Sequence, residues 1–357
     1  SLPIAGTAVY MASYPRFEVE GRDWEDDEPR KWLYQTPQEI LTKASNGASD
    51  FGNKFGQPLI CGSLLTMEHS ESYRRFGYDK VIMLAGGVGF AKKEYAFKGK
   101  PEKGDKVVLL GGDNYRIGMG GGAVSSVATG EFDNSIELNA IQRSNPEMQK
   151  RVYNAIRALA ESNNNTIVSI HDHGAGGHLN CLSELVEETG GDIDISKLPK
   201  GDPTLSAKEI VGNESQERMG LVMKTADTEY LKRVADRERA PMYIIGEATG
   251  RGNFTLEDKK TGEKPIDLAL EDMFGSAPKT LMEDRDVSEM WFPLEYEEED
   301  SGSIEYYLEQ VLQIESVACK DWLTNKVDRS VTGLIAAQQT VGEIQLPLNN
   351  LGAVEIG

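Results

Sequence analysis

Most of the histidines in this chain lie in one short stretch, residues 169–178, which also contains three glycines. Apolar residues before the stretch predict a strand and those after it predict a helix. The stretch therefore lies at the carboxyl end of a strand, where the ligand sites of α/β folds gather. Glycines let the backbone approach a ligand, and unpaired N–H groups at a helix start can bind an anion. Asp172 is then placed to hold Mg²⁺, a hard cation that takes oxygen ligands and usually shares them with phosphates.

Two other interpretations of this stretch stay open. The histidines His171, His173 and His178 could bind zinc, although the first two flank Asp172 and a fourth ligand is not evident. Alternatively, the stretch is a glycine-rich turn whose polar side chains bond to the backbone and have no chemical role.

A second glycine-rich stretch, residues 111–122, follows a predicted strand at residues 106–110. Its position is that of a phosphate-binding loop, but its spacing does not match the Rossmann fingerprint and it lacks Gly-Lys-Ser/Thr. Arg116 could clamp a phosphate. A glycine loop shaped only by packing is equally compatible with the sequence. The phosphate-loop candidates are Gly111, Gly112, Arg116, Gly120 and Gly121.

Polar residues also stand directly before two other predicted elements. Residues 213–218, Asn-Glu-Ser-Gln-Glu-Arg, precede the apolar run 219–223. They are either a solvated strand end or a polar group that faces a ligand. Gln142 has the same ambiguity, because it lies just before Asn145 and Pro146, a pair typical of a helix start.

Strands and helices are predicted to alternate between residues 75 and 275, which indicates an α/β domain of mixed α+β layers. The apolar runs at 59–61 and 81–85 predict buried strands within the first part of the chain. Residues 36–39, Thr-Pro-Gln-Glu, form a capping-box pattern and predict a helix that ends near Gly52. The acidic residues 276–302 are typical of a linker.

Composition excludes several classes of protein. The 357 residues include 58 acidic and 38 basic side chains, so an open basic groove for nucleic acid is not expected. No apolar run reaches the roughly 18 residues that a membrane span needs. The three cysteines are far apart, which argues against a disulfide framework and favours a reducing cytoplasm. The start at Ser1 without Met leads us to expect a piece of a longer protein.

Five longer motifs, taken together, resemble one family over nearly the whole chain. They are H-D-x-G-A-G-G-x-x-N from His171, N-E-S-Q-E-R from Asn213, G-G-x-x-x-R-I-G-x-G-G-G-A from Gly111, Q-R-x-N-P-E-M from Gln142 and A-S-N-G-A-S-D-F-G-N-K-F-G from Ala44. The chain is similar in these motifs to the large form of phosphoribosylformylglycinamidine synthase, whose synthetase region has two related halves of the aminoimidazole ribonucleotide synthetase superfamily.

The resemblance implies a domain organisation. Residues 1–74 correspond to the end of the first synthetase N-terminal subdomain, and residues 75–275 to the first C-terminal subdomain. Residues 276–302 are the acidic linker, and residues 303–357 are the truncated start of the second N-terminal subdomain. The implied fold is thus a C-terminal subdomain flanked by partial N-terminal-type subdomains.

The resemblance also implies an activity. The family joins formylglycinamide ribonucleotide, glutamine and ATP to give formylglycinamidine ribonucleotide in cytoplasmic purine synthesis. Asp172 matches a Mg²⁺ ligand at the active nucleotide. Asn350, beside Asn349, stands where the family has an aspartate that holds a metal at an auxiliary nucleotide, and an amide is a weaker Mg²⁺ ligand than a carboxylate. The positions that match substrate contacts are Gln142, Glu214, Ser215 and Gln216.

Two parts of the family are not found in these residues. They are the His-bearing motif near K-V-E-T-H-N-H-P and the glutaminase domain with its cysteine nucleophile. We therefore expect no catalytic residue within the chain, an inactive isolated chain, and a partner role for the rest of the parent with its glutaminase domain. Nucleic acid and membranes are not expected partners. The alternatives are another ATP-using member of the same superfamily and a non-catalytic scaffold half.

Overall fold

A computed structural model describes residues 2–16, 35–71, 73–78, 81–125, 127, 131–140, 145–284, 304–324, 331–338, 342–344 and 351–356. The chain divides into two compact units. One comprises residues 91–279, and the other comprises residues 2–90 together with 280–357. The domain boundaries drawn from the resemblance stay a prediction.

The strands, in chain order, are β1 Leu2–Ala12, β2 Leu59–Thr66, β3 Glu68–Glu71, β4 Arg74–Gly77, β5 Ile82–Phe90, β6 Lys106–Leu110, β7 Ile167–His173, β8 Gly191–Asp194, β9 Ser215–Met223, β10 Met242–Ala248, β11 Asn253–Asp258, β12 Glu263–Ala269, β13 Ile335–Ala337 and β14 Ala353–Val354. The α-helices are α1 Pro37–Phe55, α2 Gly121–Ser125, α3 Asn134–Asn139, α4 Pro146–Ala160, α5 Gly177–Leu185, α6 Ala207–Val211, α7 Thr228–Glu238, α8 Leu270–Phe274, α9 Ile304–Gln313 and α10 Asp321–Thr324.

The unit of residues 91–279 is built on a seven-stranded sheet of order β12-β11-β8-β10-β6-β9-β7. Its neighbouring strands are antiparallel except β8 and β11, which are parallel. The interior strand β6 coincides with the apolar run that predicted it.

Helices cover both faces of this sheet. Alternate side chains of a strand point to opposite faces, so neighbouring residues of β6 belong to different cores. Val107 and Leu109 of β6 belong to a core that includes residues of α5. Val108 and Leu110 belong to a second core that includes residues of α4 and α7. The predicted α/β class with mixed layers is therefore confirmed.

Helix starts agree with the sequence patterns. The side-chain oxygen of Asn145 accepts the Met148 N–H at 3.1 Å at the start of α4, and Thr36 and Glu39 form the capping box of α1. The predicted end of α1 is wrong by one turn, since the helix continues to Phe55 and ends at Gly56 with a φ of 68°. Gly52 lies inside the last turn, where a Cβ would be 2.2 Å from the Gln57 carbonyl oxygen.

The unit of residues 2–90 and 280–357 contains a three-stranded sheet of order β2-β1-β5. The predicted strands at 59–61 and 81–85 are present, but the prediction that they are buried is wrong. Every residue of β5 is exposed, and β2 is mostly exposed or half-buried. Helix α1 packs chiefly on β1 and β2, while β5 lies at the end of the described sheet. Apolarity predicts a strand here without indicating what covers it.

Residues 275–284 have no regular secondary structure, and the rest of the predicted acidic linker, after residue 284, lies outside the described residues. In the part of the chain that the structure describes, no helix is both long and apolar enough to cross a membrane.

Candidate functional site

Three chain segments with predicted chemistry meet at one edge of the seven-stranded sheet. Antiparallel pairing of β9 with both β6 and β7 places Leu110 and Asp172 opposite the same residue, Met219. His173 lies opposite Ser215. The glycine-rich stretch after β6, the end of β7 and the polar start of β9 therefore lie together, although about 100 residues separate the first from the last in the sequence.

Asp172 is exposed at the end of β7, and its Oδ1 accepts the Gly174 N–H at 2.8 Å. A Cβ on Gly174 would lie 2.7 Å from that oxygen, so glycine permits the turn. A single oriented carboxylate suits Mg²⁺, which keeps several waters and binds phosphate oxygens rather than an all-protein cage. Among the described residues, no group of three or more His, Cys, Asp or Glu could hold a metal by itself.

The zinc interpretation is not supported within the described part of the chain, because the three histidines do not come together in a group that could hold a metal. His171 Nε2 lies 2.6 Å from a carboxylate oxygen of Glu184, and its Nδ1 lies 2.8 Å from the Asp172 carbonyl oxygen. His173 and His178 are buried and joined by an Nε2–Nδ1 contact of 3.0 Å. Burial lowers the pKa of both rings well below the usual value, and the charge of Arg218 lowers it further. Both rings are therefore neutral at pH 7.

Arg218 is the centre of a buried polar network that the sequence did not reveal. Its guanidinium is fully buried and contacts the side-chain oxygens of Asn114 and Asn213 and the Nε2 of His178. The His178 Nε2 lies between Arg218, which only donates, and the Asn114 Oδ1 at 2.9 Å, which only accepts. In the tautomer that accepts from Arg218, the ring proton is on Nδ1 and faces His173. An arginine directly before the apolar run 219–223 was the one available signal.

The glycine-rich stretch 111–122 is fastened to the start of β9. The Asn213 Nδ2 donates to the carbonyl oxygens of Tyr115 and Ile117 at 2.8 and 2.7 Å. The Glu214 N–H donates to the Gly118 carbonyl oxygen at 2.6 Å. These bonds fix residues 115–119, the arm of the loop, which lead to the glycines 120–122.

The phosphate-loop candidates have different environments. Gly111 has a φ of 126°, and a Cβ there would lie 2.6 Å from the Glu217 carbonyl oxygen, so close packing requires this glycine. Gly112 is buried. Gly120, with a φ of 70°, has open space around its Cβ position. A Cβ on Gly121 would lie 2.6 Å from the Glu214 carboxylate.

Arg116 is paired with carboxylates in this structure. Its Nε donates to Glu209 at 2.9 Å and its Nη1 to Asp202 at 3.0 Å, with the Arg116 side chain 42% exposed. The hydrogen bond from Arg116 is the largest cause that lowers the pKa of Glu209 to about 2. A phosphate at Arg116 would have to replace these partners, so its phosphate role stays a prediction.

The predicted substrate contacts are only partly within the described residues. Glu214 is buried, and its Oε1 accepts the N–H groups of Gly122 and Gly176 at 3.4 and 3.3 Å, which joins the two glycine-rich stretches. Ser215 is buried and donates to Glu217. Gln216 follows it on β9. The predicted substrate contact Gln142 lies outside the described residues, as do Asn349 and Asn350 of the predicted auxiliary nucleotide site.

The chain is similar in sequence to known proteins. Residues 102–259 match the family "AIR synthase related protein, C-terminal domain". The chain is 39% identical over 371 residues to the probable phosphoribosylformylglycinamidine synthase of Arabidopsis thaliana, covering 99% of this chain and 26% of that protein. It is 38% identical over 373 residues to the human phosphoribosylformylglycinamidine synthase, covering 99% of this chain and 28% of that protein. The chain thus spans about a quarter of the length of these relatives.

Solved structures show the same fold. The Thermotoga maritima PurL complexed with FGAR has a TM-score of 0.60 at 20% identity, over 81% of this chain and 42% of that one. The PurLQS structure from the same organism has a TM-score of 0.61 at 17% identity, over 96% and 47%. The chain is therefore similar over nearly its whole length to a part of the phosphoribosylformylglycinamidine synthases, and its residues 102–259 match the AIR synthase-related C-terminal domain family.

Proposed function

We propose that this chain is the synthetase portion of an ATP- and glutamine-dependent C–N ligase of purine biosynthesis. The reaction converts formylglycinamide ribonucleotide to formylglycinamidine ribonucleotide. The observation that supports the proposal is the meeting of Asp172, the glycine-rich loop and the start of β9 at one sheet edge. The solved structures of Thermotoga maritima PurL complexed with FGAR and with ATP support it.

In the proposed reaction, the formylglycinamide oxygen takes the terminal phosphoryl group of ATP and ADP leaves. Ammonia derived from glutamine then adds to the carbon that bears this oxygen, the carbon–oxygen bond breaks, and phosphate leaves. The chain's part is to bind and orient both substrates, since fixed geometry replaces a bimolecular encounter. The proposed substrate contacts are Gln142, Glu214, Ser215 and Gln216.

Asp172 would hold Mg²⁺, which would offset the negative charge of the nucleotide phosphates. The chain's formal charge is -20, so an anionic substrate is attracted only if such a cation and main-chain N–H groups outweigh the surrounding carboxylates. One of these carboxylates, that of Glu214, lies within the proposed site itself, at the junction of the two glycine-rich stretches. The proposed site therefore depends on Mg²⁺ for phosphate binding.

The remaining partners are proposals of the same kind. Ammonia would come from a glutaminase domain in the rest of the parent protein. The cytoplasmic location stays a prediction.

A thermal-shift titration with formylglycinamide ribonucleotide, with and without Mg²⁺–ADP, tests the proposal. Ligand at about 100 times its Kd should add about 2.7 kcal/mol of stability. We expect Gln216→Ala to reduce the ribonucleotide shift and Asp172→Asn to remove its Mg²⁺ dependence. The matched control is Asp192→Asn, which changes an aspartate of β8 that pairs with Arg251.

Full shifts in both site variants would contradict the assigned roles. If neither this chain nor the full-length parent shifted, the substrate assignment would be wrong and the non-catalytic scaffold would be favoured.

A further inference from the structure

Asn213 binds the arm of the glycine-rich loop through both protons of its side-chain amide. We propose that Asn213 is a positioning residue, which holds residues 115–119 so that glycines 120–122 face the end of β7. The inference rests on the proposed function in one respect, namely that this loop belongs to the nucleotide site.

The contacts of Asn213 use every polar atom of its side chain. Its Nδ2 donates to the carbonyl oxygens of Tyr115 and Ile117, at 2.8 and 2.7 Å, and its Oδ1 accepts from Arg218. Its main chain forms an antiparallel bridge with Met119. Asn213 is only 2% exposed, so water does not compete for these bonds.

Arg218 determines which way the amide of Asn213 faces. A carboxamide can be placed in two orientations that exchange its oxygen and nitrogen. The guanidinium of Arg218 has donors only, so the Asn213 oxygen must face it. The Asn213 amino group is then directed at the two loop carbonyls. The same guanidinium contacts Asn114 and His178, which hold it in place.

The opposite side of the loop arm is fixed as well. In a trans peptide the carbonyl and the following N–H point in opposite directions. With the Ile117 and Gly118 carbonyl oxygens bound to residues 213 and 214, the N–H groups of Gly118 and Met119 face away and donate to the Asn139 carbonyl oxygen at 2.8 and 3.0 Å. The arm is thus hydrogen-bonded to residues 213 and 214 on one side and to Asn139 on the other.

This arm places Gly122 next to the loop after β7. A Cβ on Gly122 would lie 3.4 Å from the Cβ of Ala175, and the Glu214 carboxylate accepts N–H groups from Gly122 and Gly176. If the arm loosened, Gly122 would lose its fixed distance from the β7 end, and with it from Asp172.

The test is the variant Asn213→Asp in the full chain, followed by hydrogen–deuterium exchange without ligand. The substitution keeps the size and the oxygen that accepts from Arg218, but it sets an oxygen against the Tyr115 and Ile117 carbonyls. Since two hydrogen bonds are lost, we expect amides of residues 115–122 to exchange about tenfold faster or more. Amides of β6 and β9 should keep their protection.

The matched control is Asn154→Asp on α4, which makes the same chemical change beside Glu238, a residue its amide contacts at 3.2 Å. It should leave exchange in residues 115–122 unchanged. If Asn213→Asp does not fold, Asn213→Ala removes the same donors without repulsion and is measured in the same way.

Unchanged exchange in residues 115–122 would overturn the proposal. Faster exchange throughout residues 91–279 would also overturn it, because Asn213 would then act on overall stability and not on loop position.

A second measurement, Mg²⁺–ATP titration of the folded variant, separates this inference from the proposed function. We expect at least about tenfold weaker binding than in the unsubstituted chain, and equal binding despite a loosened loop would refute the positioning role. If neither the unsubstituted chain nor the full-length parent bound Mg²⁺–ATP while the variant loosened the loop, the proposed function would fail, and the role of Asn213 in holding the loop would stand.

Discussion

Two polar clusters hold the same glycine-rich loop, and they differ in charge and in burial. The inner cluster, Asn114, His178, Asn213 and Arg218, is buried and joins an arginine to neutral amides and a neutral imidazole. The outer cluster, Arg116, Asp202, Thr204 and Glu209, pairs an arginine with two carboxylates at the surface. The outer cluster has more formal ion pairs, yet we expect it to matter less, because water screens its charges and competes for its hydrogen bonds.

Removing the inner arginine should give the largest effect. Arg218→Met keeps an unbranched apolar stem but leaves the buried side-chain oxygen of Asn213 without its donor and the oxygen of Asn114 with only the His178 Nε2, at 2.9 Å. Each unsatisfied buried group costs about 1–3 kcal/mol, so we expect a loss of at least about 2 kcal/mol in the free energy of unfolding, measured in urea.

The control for this prediction is Arg251→Met, which removes an exposed arginine paired with Asp192. It should change stability by less than about 1 kcal/mol. Similar losses in both variants would show that burial does not separate the two kinds of cluster.

The inner cluster should also make stability depend on pH between about 7.5 and 5.5. His178 is held neutral, with its pKa well below the usual 6.5, first by burial and then by Arg218. Below pH 6.5 the unfolded chain therefore binds a proton that the folded chain does not, and stability falls as pH falls. The slope is at most about 1.4 kcal/mol per pH unit for one such histidine.

Urea unfolding at pH 7.5, 6.5 and 5.5 measures this slope, and His178→Asn should reduce it. An unchanged slope in the variant would mean that His178 does not carry the pH dependence.

The two clusters also show how far the sequence could predict the site. Within the outer one, Glu209 also forms a capping box with Ser206, a local pattern, whereas Arg116 is 86 and 93 positions from Asp202 and Glu209. Local rules predicted the starts of α1 and α4, and apolar runs predicted β6 and β9. The sequence also indicated Asp172 and the glycine-rich loop as adjacent to strand ends.

The arginine contacts of both clusters follow no local rule. Arg218 and Asn114 are 104 positions apart, and their contact exists only because β6 and β9 are neighbours in the sheet. Strand order is a property of the whole chain, which a pattern in one segment does not contain. The same reason explains the error at β5, where an apolar run predicted a strand correctly but did not show that its faces are exposed.

The smallest effect is expected in the outer cluster. Arg116→Gln removes the partner of Asp202 and Glu209, and the pKa of Glu209 should rise from about 2 toward its usual value, because the hydrogen bond from Arg116 is the main cause of its lowering. The interactions that lower the pKa of Glu209 stabilise the folded chain at pH values above the pKa that Glu209 has in the unfolded chain. This contribution is lost only as the pH falls toward about 2. Stability at pH 7 should therefore drop slightly in low salt and not at all in 1 M salt, where the screening length is about 3 Å. Thermal unfolding of Arg116→Gln and of the unsubstituted chain, in low and high salt, measures the difference. A large loss of stability that persists in 1 M salt would show that the fold depends on Arg116 as it does on Arg218. The expected ranking of the two clusters would then be wrong.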